Sequence, residues 1–284
     1  MELKGIDIHV HLKDEEAIKA SGARAAQMAA YFGRENKPVP IDEMADMFRS
    51  RGIMAVLQNS SDITVTGNIP VPNDHIADVV RQHPDVFIGF GIVDPWQGKV
   101  AIEEVKRCAQ ELGLKGIGEL NPGRQHFYAN DERFYPLWEE CVKQGMVVLL
   151  HSGMMGAGAG TPGGMGGKLK YTRPIPYFDD LAADFPELNI ISAHPSWPYT
   201  AESLAIARHK SNFYIDLSGW APKYFSQELV QYATTILQNK CLFGSDWPAI
   251  PLDRWLNEFA ELPMSDEVRQ KIMVGNAKKL LKLE

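Results

Sequence analysis

Gly5-Ile6-Asp7-Ile8-His9-Val10-His11-Leu12 is the first apolar run of the chain, and two histidines separated by one residue lie near its end. Side chains of a β-strand alternate between its faces, so a strand over this run places His9 and His11 on one side, about 7 Å apart. Two imidazoles at that spacing suit one divalent metal ion. A pair of surface histidines would have the same spacing, so the run by itself leaves both interpretations open.

Three later apolar runs also end in a residue that can bind a metal. They are 146–150 before His151, 189–193 before His194, and 241–245 before Asp246. Five such side chains at the ends of four runs are difficult to attribute to chance. The sequence therefore predicts that they meet at one site, which favours the metal interpretation of the first pair.

Strand-like and helical stretches alternate along the 284 residues. The strand-like runs are 5–11, 53–58, 87–93, 114–120, 146–151, 189–194, 213–217 and 240–244. Such alternation favours parallel pairing through right-handed crossovers, and eight units close a barrel whose catalytic face is built from the C-terminal ends of the strands. We predict a single α/β domain over residues 1–284, a (β/α)8 TIM barrel. A doubly wound open sheet is the alternative.

Composition limits the classes of partner. The formal net charge is −7, from 29 basic and 36 acidic residues, which argues against nucleic acid. The cysteines, at positions 108, 141 and 241, are isolated, which favours reduced thiols over a disulfide framework. No apolar run approaches the roughly 18 residues of a membrane span, and no secretory leader is recognisable. We expect a cytoplasmic protein with a small-molecule substrate and no membrane association, and homo-oligomerisation stays open.

The motifs at the strand ends resemble those of a known superfamily. His9-Val10-His11 on the first strand, a histidine ending the fifth, another ending the sixth, and Gly244-Ser245-Asp246 on the eighth are similar to the amidohydrolase superfamily. Further stretches resemble the branch that includes aminocarboxymuconate-semialdehyde decarboxylase: 73–74, 83–85, 87–90, 184–186 and 275–277. Within that branch, segments 193–198 and 216–225 are similar to 4-hydroxyphenyl-β-ketoacyl-CoA hydrolases.

The resemblance implies roles for the five residues. His9, His11, His151 and Asp246 would bind one divalent ion, zinc in the first instance with manganese as the alternative. A bound ion can lower the pKa of its water toward 7, and Asp246 could accept the proton of that water. His194 would lie beside the ion as a catalytic group that polarises or protonates the substrate.

One position departs from the pattern of the two-metal members of the superfamily, which carry a modified lysine at the end of the fourth strand. Here Lys115 lies near the start of that strand, and Glu119 lies near its end. Glu119 could be a fifth ligand, a substrate contact, or a buried carboxylate paired with a basic residue such as Arg124. We expect a single metal ion, with Glu119 and Arg124 as candidate substrate contacts.

Further candidate substrate contacts follow the fifth to eighth strands. Segment 153–167 contains eight glycines in fifteen residues and is typical of a mobile lid, and the cations Lys170 and Arg173 follow it directly. Large aromatic residues could form a flat pocket for a planar ring, although they could equally pack helices against the barrel. They are Trp197, Trp220, Tyr224 and Trp247.

Three functions are compatible with this set of residues. The main interpretation is a metal-dependent hydrolase that attacks a carbonyl of an aromatic or conjugated substrate, such as a β-ketoacyl-CoA thioester or a lactone. The alternative is a metal-dependent decarboxylase of an aromatic or muconate-type acid. A non-catalytic metal-binding barrel is the third. The ligand-type residues do not separate the first two, and the basic loop with Ser196-Trp197-Pro198 favours hydrolysis by analogy.

Overall fold

Eight parallel strands form the centre of the molecule in a computed structural model that describes residues 2–283. They pair in sequence order, each with its chain neighbour. Their bounds are β1 Gly5–His11, β2 Ile53–Gln58, β3 Phe87–Gly91, β4 Gly116–Leu120, β5 Val147–His151, β6 Ile190–Ala193, β7 Phe213–Asp216 and β8 Cys241–Leu242. This order confirms the predicted (β/α)8 barrel.

The barrel is closed by hydrogen bonds between β1 and the chain around β8. The backbone N–H of Ile8 donates to the carbonyl of Phe243 at 2.8 Å, and that of His11 donates to Trp247 at 2.8 Å. In the other direction, the N–H of Asp246 donates to the carbonyl of His9 at 2.9 Å. An open sheet would leave both edges unpaired, so the doubly wound alternative is wrong.

Helices connect the strands and cover the outside of the barrel. They are α1 Glu15–Ser21, α2 Ala23–Tyr31, α3 Ile41–Arg49, α4 Ile63–Thr66, α5 Asn73–Gln82, α6 Lys99–Gln110, α7 Pro122–Gln125, α8 Tyr135–Gln144, α9 Tyr177–Asp184, α10 Thr200–His209, α11 Gln227–Thr234, α12 Leu252–Ala260, α13 Asp266–Gln270 and α14 Asn276–Leu280. Short 3₁₀ turns lie at Pro95–Gln97, Glu132–Phe134, Pro162–Gly166, Leu169–Thr172 and Pro222–Tyr224, and a π-turn at Lys271–Gly275. Within residues 2–283, no helix has both the length and the apolar character needed to cross a membrane.

The longer helices that pack on the barrel bury an apolar stripe, and α6 is an example. In α6, Ala101, Val105 and Cys108 are buried, at positions i, i+4 and i+7 that share one helix face. The cysteines at 108, 141 and 241 are all buried and free, as the sequence predicts. The apolar core therefore lies between the barrel and its helices, and it leaves the C-terminal end of the barrel for polar groups.

The connection from β1 to α3 contains two short helices, α1 and α2. Asp14 caps α1 by accepting a hydrogen bond from the N–H of Ala17 at 3.0 Å, and Gly22, with φ 53°, separates α1 from α2. None of the residues of α2 is buried in the core.

Candidate metal centre

Imidazole and carboxylate groups converge at the C-terminal end of the barrel. His9 and His11 lie on the same side of β1, with their Nε2 atoms 3.1 Å apart. The Oδ1 atom of Asp246 lies 3.3 Å from Nε2 of His11 and 3.8 Å from Nε2 of His9. The first three residues of the predicted metal set therefore lie within reach of one ion.

His151 and His194, the other two predicted residues, lie around the carboxylate of Glu119. His151 Nδ1 donates to Oε1 of Glu119 at 2.5 Å, and His194 Nε2 lies 3.5 Å from the same oxygen. The rings of His9 and His194 are 5.1 Å apart, which joins the two halves. Three groups of residues each bring their ligand atoms within 4.8 Å of one another. They are His9, His194 and Asp216; His9, His11 and Glu119; and Glu119, His151 and His194.

Left-handed backbone positions turn two of these side chains inward after their strands end. His194 has φ 69° and Asp246 has φ 60°, a region that costs a residue with a Cβ about 1–3 kcal/mol. Gly219 makes room for His194, because a Cβ at that position would lie 2.4 Å from its Nδ1 atom. Strain of this kind persists where the surrounding structure requires it, and it is concentrated at functional sites.

Asp216 is a member of the cluster that sequence reasoning missed. It ends β7 and is fully buried, and its Oδ2 accepts a hydrogen bond from His9 Nδ1 at 2.8 Å. Ser218 holds the carboxylate in place, since its Oγ donates to Oδ2 at 2.5 Å and its N–H donates to Oδ1 at 3.0 Å. Asp216 ends an apolar run as the other candidates do, and that signal could have identified it.

The hydrogen bonds around the cluster fix which imidazole nitrogens have a lone pair available for a metal. His9 uses Nδ1 to donate to Asp216, so its Nε2 carries the lone pair in the neutral ring. His151 Nδ1 donates to Glu119, and its Nε2 lies 3.3 Å from the carbonyl oxygen of Met154. The Nε2 atoms of His9 and His11, 3.1 Å apart, then point toward each other. A cation shared between such nitrogens and the Asp246 carboxylate would resolve this contact.

The electrostatics of the cluster stabilise positive charge. Burial lowers the pKa of His9, but its hydrogen bond to Asp216 and the charges of Asp216, Asp246 and Glu119 outweigh burial and raise the pKa to about 10. Burial likewise raises the pKa of Asp246, and the neighbouring imidazoles outweigh it and lower that pKa. Carboxylates that stay ionised around imidazoles would equally stabilise a divalent cation, so the donor set fits one.

Asp7 stabilises the backbone next to two residues of the centre, His9 and Asp246. Its carboxylate accepts hydrogen bonds from the N–H of Ser245 at 2.9 Å, from Oγ of Ser245 at 2.5 Å and from the N–H of His9 at 3.2 Å. Burial raises the pKa of Asp7 to about 7. Through these bonds, Asp7 fixes the backbone of β1 relative to the residue that precedes Asp246.

Asp216→Asn is expected to weaken divalent-metal binding by about 10- to 100-fold, the range for losing a partner that orients a metal-binding histidine. The amide can still accept from His9 Nδ1, but it lacks the charge that makes the imidazole a stronger donor. Competition of Mn²⁺ with a fluorescent chelator measures the affinity. Asp253→Asn, which removes a carboxylate paired with Arg51 on the surface, is the matched control. Equal metal affinity in both variants would contradict this role for Asp216.

A cavity of about 700 Å³ lies above the centre. Its polar end includes His11, Glu119, His151, His194 and Asp246. Residues of α1 and α2 also line it, among them Ala17, Ile18, Arg24 and Met28. This volume is in the range of small-molecule sites, and its lining combines apolar side chains with charged ones.

The cavity separates the candidate substrate contacts into two groups. Glu119, Arg124, Trp220 and Tyr224 line it, whereas Lys170, Arg173, Trp197 and Trp247 do not. In the second group, Lys170 lies over the ring of Tyr171, Arg173 pairs with Glu202 at 2.7 Å, Trp197 is exposed beside Trp220, and Trp247 is buried against Phe48. Glu119 contacts two histidines, while Arg124, one possible partner for it, pairs with Asp62.

Gln27 of α2 hydrogen-bonds to the backbone of the glycine-rich segment 153–167. Gln27 Nε2 donates to the carbonyl of Ala159 at 3.1 Å and to that of Gly156 at 3.4 Å, and its Oε1 accepts from the N–H of Gly158 at 2.9 Å. This amide therefore connects the two segments that cover the cavity.

Gln27→Ala is expected to loosen segment 153–167 and to raise its amide hydrogen exchange by about 10-fold, since each lost hydrogen bond contributes roughly 0.5–1.5 kcal/mol to local stability. Exchange detected by mass spectrometry on peptides from this segment measures the effect. Gln110→Ala, which removes an exposed side-chain contact with Gln144, is the control. Unchanged exchange in the segment would show that Gln27 does not hold it.

A model of the amidohydrolase family matches residues 6–283. The chain belongs to the amidohydrolase family. Two relatives of this amidohydrolase are decarboxylases by name. The 2-amino-3-carboxymuconate-6-semialdehyde decarboxylase of Dictyostelium discoideum is 39% identical over 79 residues, which are 28% of this chain and 22% of the relative. Gamma-resorcylate decarboxylase of Polaromonas sp. (strain JS666) is 25% identical over 247 residues, 74% of this chain and 75% of the relative.

A solved structure has the same barrel. It is the 5-carboxyvanillate decarboxylase of Novosphingobium aromaticivorans DSM 12444, complexed with manganese and 4-hydroxy-3-methoxy-5-nitrobenzoic acid. Its TM-score against this amidohydrolase is 0.71 at 21% identity, covering 99% of this chain and 96% of the other. The protein is thus an enzyme of the amidohydrolase superfamily, with a donor set that suits a divalent metal.

The predicted hydrolase activity is wrong. The relatives of this amidohydrolase are decarboxylases, one of them matched over three quarters of its length, and they favour the alternative stated from the sequence. They give no support to the narrower likeness to β-ketoacyl-CoA hydrolases. The structure gives a physical reason for the error, because the basic loop that favoured hydrolysis, with Lys168, Lys170 and Arg173, does not line the cavity.

Proposed function

We propose that the protein is a metal-dependent, non-oxidative decarboxylase of an aromatic or muconate-type carboxylic acid. The observation that carries the proposal is the match to gamma-resorcylate decarboxylase over three quarters of both chains. The cavity supports it, since its volume of about 700 Å³ accommodates a substituted ring with a carboxylate directed at the histidines.

The proposed ligands of the divalent ion are His9, His11, His151 and Asp246. When bound, the ion supplies positive charge that orients the substrate carboxylate and polarises its oxygens. Three nitrogens and one carboxylate oxygen are compatible with Zn²⁺ and with Mn²⁺, and the metal content of protein purified without added metal distinguishes them.

Decarboxylation breaks the bond between the ring carbon and the carboxylate, releases CO₂, and requires a proton at that carbon. We assign this proton to His194. Its Nδ1 donates to Ser218 Oγ at 2.9 Å, since the hydroxyl proton of Ser218 is used on Asp216. Its Nε2 faces Glu119 at 3.5 Å, and the Glu119 carboxylate stabilises a proton there. Burial lowers the pKa of His194, but the hydrogen bond to Glu119 and the charge of Asp246 outweigh it and raise that pKa.

Glu119 and Asp246 stay ionised in this scheme. Burial raises the pKa of Glu119, but His151 and His194 outweigh it and hold that pKa well below its ordinary value. Ionised carboxylates cannot donate the proton, so Glu119 orients the two histidines and Asp246 serves as a ligand.

Turnover of a panel of hydroxybenzoates and muconate-type acids tests the proposal. The metal-loaded protein is incubated with each acid in D₂O, and both CO₂ and the product are analysed. CO₂ release with one deuterium at the vacated carbon is expected. Consumption of an ester or lactone in ¹⁸O-labelled water, with label in a new carboxylate and no CO₂ from any acid, would contradict the proposal.

A further inference from the structure

Gln58, the last residue of β2, is almost completely buried, at 1% exposure. Its Nε2 donates to the carbonyl oxygen of Ile8 at 2.8 Å. Its Oε1 has no hydrogen-bond partner among residues 2–283. A buried acceptor without a partner costs free energy, so such a group calls for an explanation in the surrounding structure.

The carbonyl that Gln58 binds belongs to a β-bulge of β1. The register of β1 with β2 shifts between Asp7 and Val10, so Ile8 and His9 lie in the bulge. A bulge takes residues out of the regular ladder and redirects a side chain, which here is the imidazole of His9. The Gln58 amide supplies a donor to a carbonyl of this bulge, at the residue directly before His9.

A second bulge, in β4, is bonded to Asn59, the first residue after β2. The register of β4 with β5 shifts between Ile117 and Leu120, so Gly118 and Glu119 lie in this bulge. The N–H of Asn59 donates to the carbonyl of Gly118 at 3.2 Å, and the N–H of Glu119 donates to the carbonyl of Asn59 at 2.7 Å. Two consecutive residues at the end of β2 therefore hold two bulges, and each bulge carries a side chain of the histidine–carboxylate cluster.

The Gln58 side chain also lies next to the bulge of β4. A Cβ at position 118 would lie 3.1 Å from Oε1 of Gln58 and 2.8 Å from the Cβ of Leu149, so Gly118 leaves the space that this amide occupies. One end of the amide thus bonds to the residue before His9, and the other end faces the residue before Glu119.

We propose that Gln58 is a positioning residue of the metal centre, which holds the bulges of β1 and β4 so that His9 and Glu119 face the same site. The inference rests on the proposed function, because it assigns a role within the centre where the ion and the substrate carboxylate would bind. Gln58 acts through the backbone of the two bulges and needs no contact with substrate. A displacement of about 1 Å in such a centre can lower the rate about 100-fold.

Gln58→Met tests this role, because methionine has a similar length and no group that can donate to the Ile8 carbonyl. The melting temperature should change little, since the variant loses one hydrogen bond but also removes an unpaired buried oxygen. Mn²⁺ affinity is expected to fall about 10-fold as His9 loses its placement, and kcat to fall about 10- to 100-fold with a smaller change in KM. Competition with a fluorescent chelator measures the affinity, and the visible absorption of the Co²⁺-loaded protein reports the ligand geometry.

The outcomes separate positioning from support of the fold and from the proposed function. Mn²⁺ affinity and a Co²⁺ spectrum that both match the wild type, whatever the melting temperature, would overturn the inference. Failure of every acid to release CO₂ would overturn the decarboxylase proposal, whereas the metal readouts need no turnover. Gln110→Met, the same substitution at an exposed position of α6, is the matched control. Gln58→Asn, whose amide is one methylene shorter, supplies the same comparison if Gln58→Met does not fold.

Discussion

His11→Ala is expected to abolish most divalent-metal binding and, with it, decarboxylation. His11 supplies a nitrogen 3.1 Å from His9 Nε2 and 3.3 Å from the Asp246 carboxylate. Losing a partner that only orients a ligand weakens metal affinity by about 10- to 100-fold, so losing a ligand should cost more than 100-fold. Metal content after dialysis, and CO₂ release with and without added Mn²⁺, measure the effect.

His11 is a better position for this test than His9. The side chain of His11 is 29% exposed, whereas His9 is fully buried and its removal would leave Asp216 without a hydrogen-bond partner on that side. Replacing the exposed His209 at the end of α10 by alanine controls for loss of an imidazole. Full metal occupancy with undiminished turnover in His11→Ala would show that the centre has been misassigned.

The first strand illustrates how much of the fold the sequence determines. β1 spans Gly5–His11, as predicted from an apolar run whose alternate positions carry polar groups. Asp7 and His9 hydrogen-bond to groups near β8 and β7, while Ile6, Ile8 and Val10 are fully buried. An alternating pattern specifies both the element and its two faces, which is why the strand ends could be predicted as one site.

The wall of the cavity was much less predictable. Among the residues of α1 and α2 only Ala17 is buried, and other residues of both helices line the cavity instead of the core. Pairing of Arg124 with Glu119, five residues earlier, was one possibility from the sequence, but Arg124 pairs with Asp62, which lies 62 residues earlier. Such long-range pairings depend on how loops from different strands meet, and no short-range pattern in the sequence records them.

The sequence could not distinguish hydrolysis from decarboxylation, and the reason is chemical. An ion held by histidines and an aspartate can activate water or orient a carboxylate, so His9, His11, His151 and Asp246 are compatible with both reactions. The two reactions differ in the role of the side chain that faces the substrate without binding the ion. Asp216 shares the strand-end signal of the other candidates, whereas Ser218, which hydrogen-bonds to His194, was recognisable only once β7 was placed beside β6.

His194→Asn is expected to retain most of the bound metal while kcat falls by about 10²- to 10⁴-fold, the range for losing a positioned acid–base group. Asparagine can still hydrogen-bond to Ser218, but it carries no transferable proton for the ring carbon. Because substrate binding would be largely preserved, KM should change much less than kcat. Steady-state CO₂ release and metal analysis of the same preparation provide both readouts.

Ser218→Ala is the matched variant for this test. It keeps the imidazole and removes the hydroxyl that accepts from His194 Nδ1 at 2.9 Å and donates to Asp216 at 2.5 Å. If Ser218 only positions His194, kcat should fall less in Ser218→Ala than in His194→Asn, because the proton donor is still present. If His194→Asn instead loses metal as completely as His11→Ala, then His194 is a ligand, and the proton must come from another group at the cavity wall.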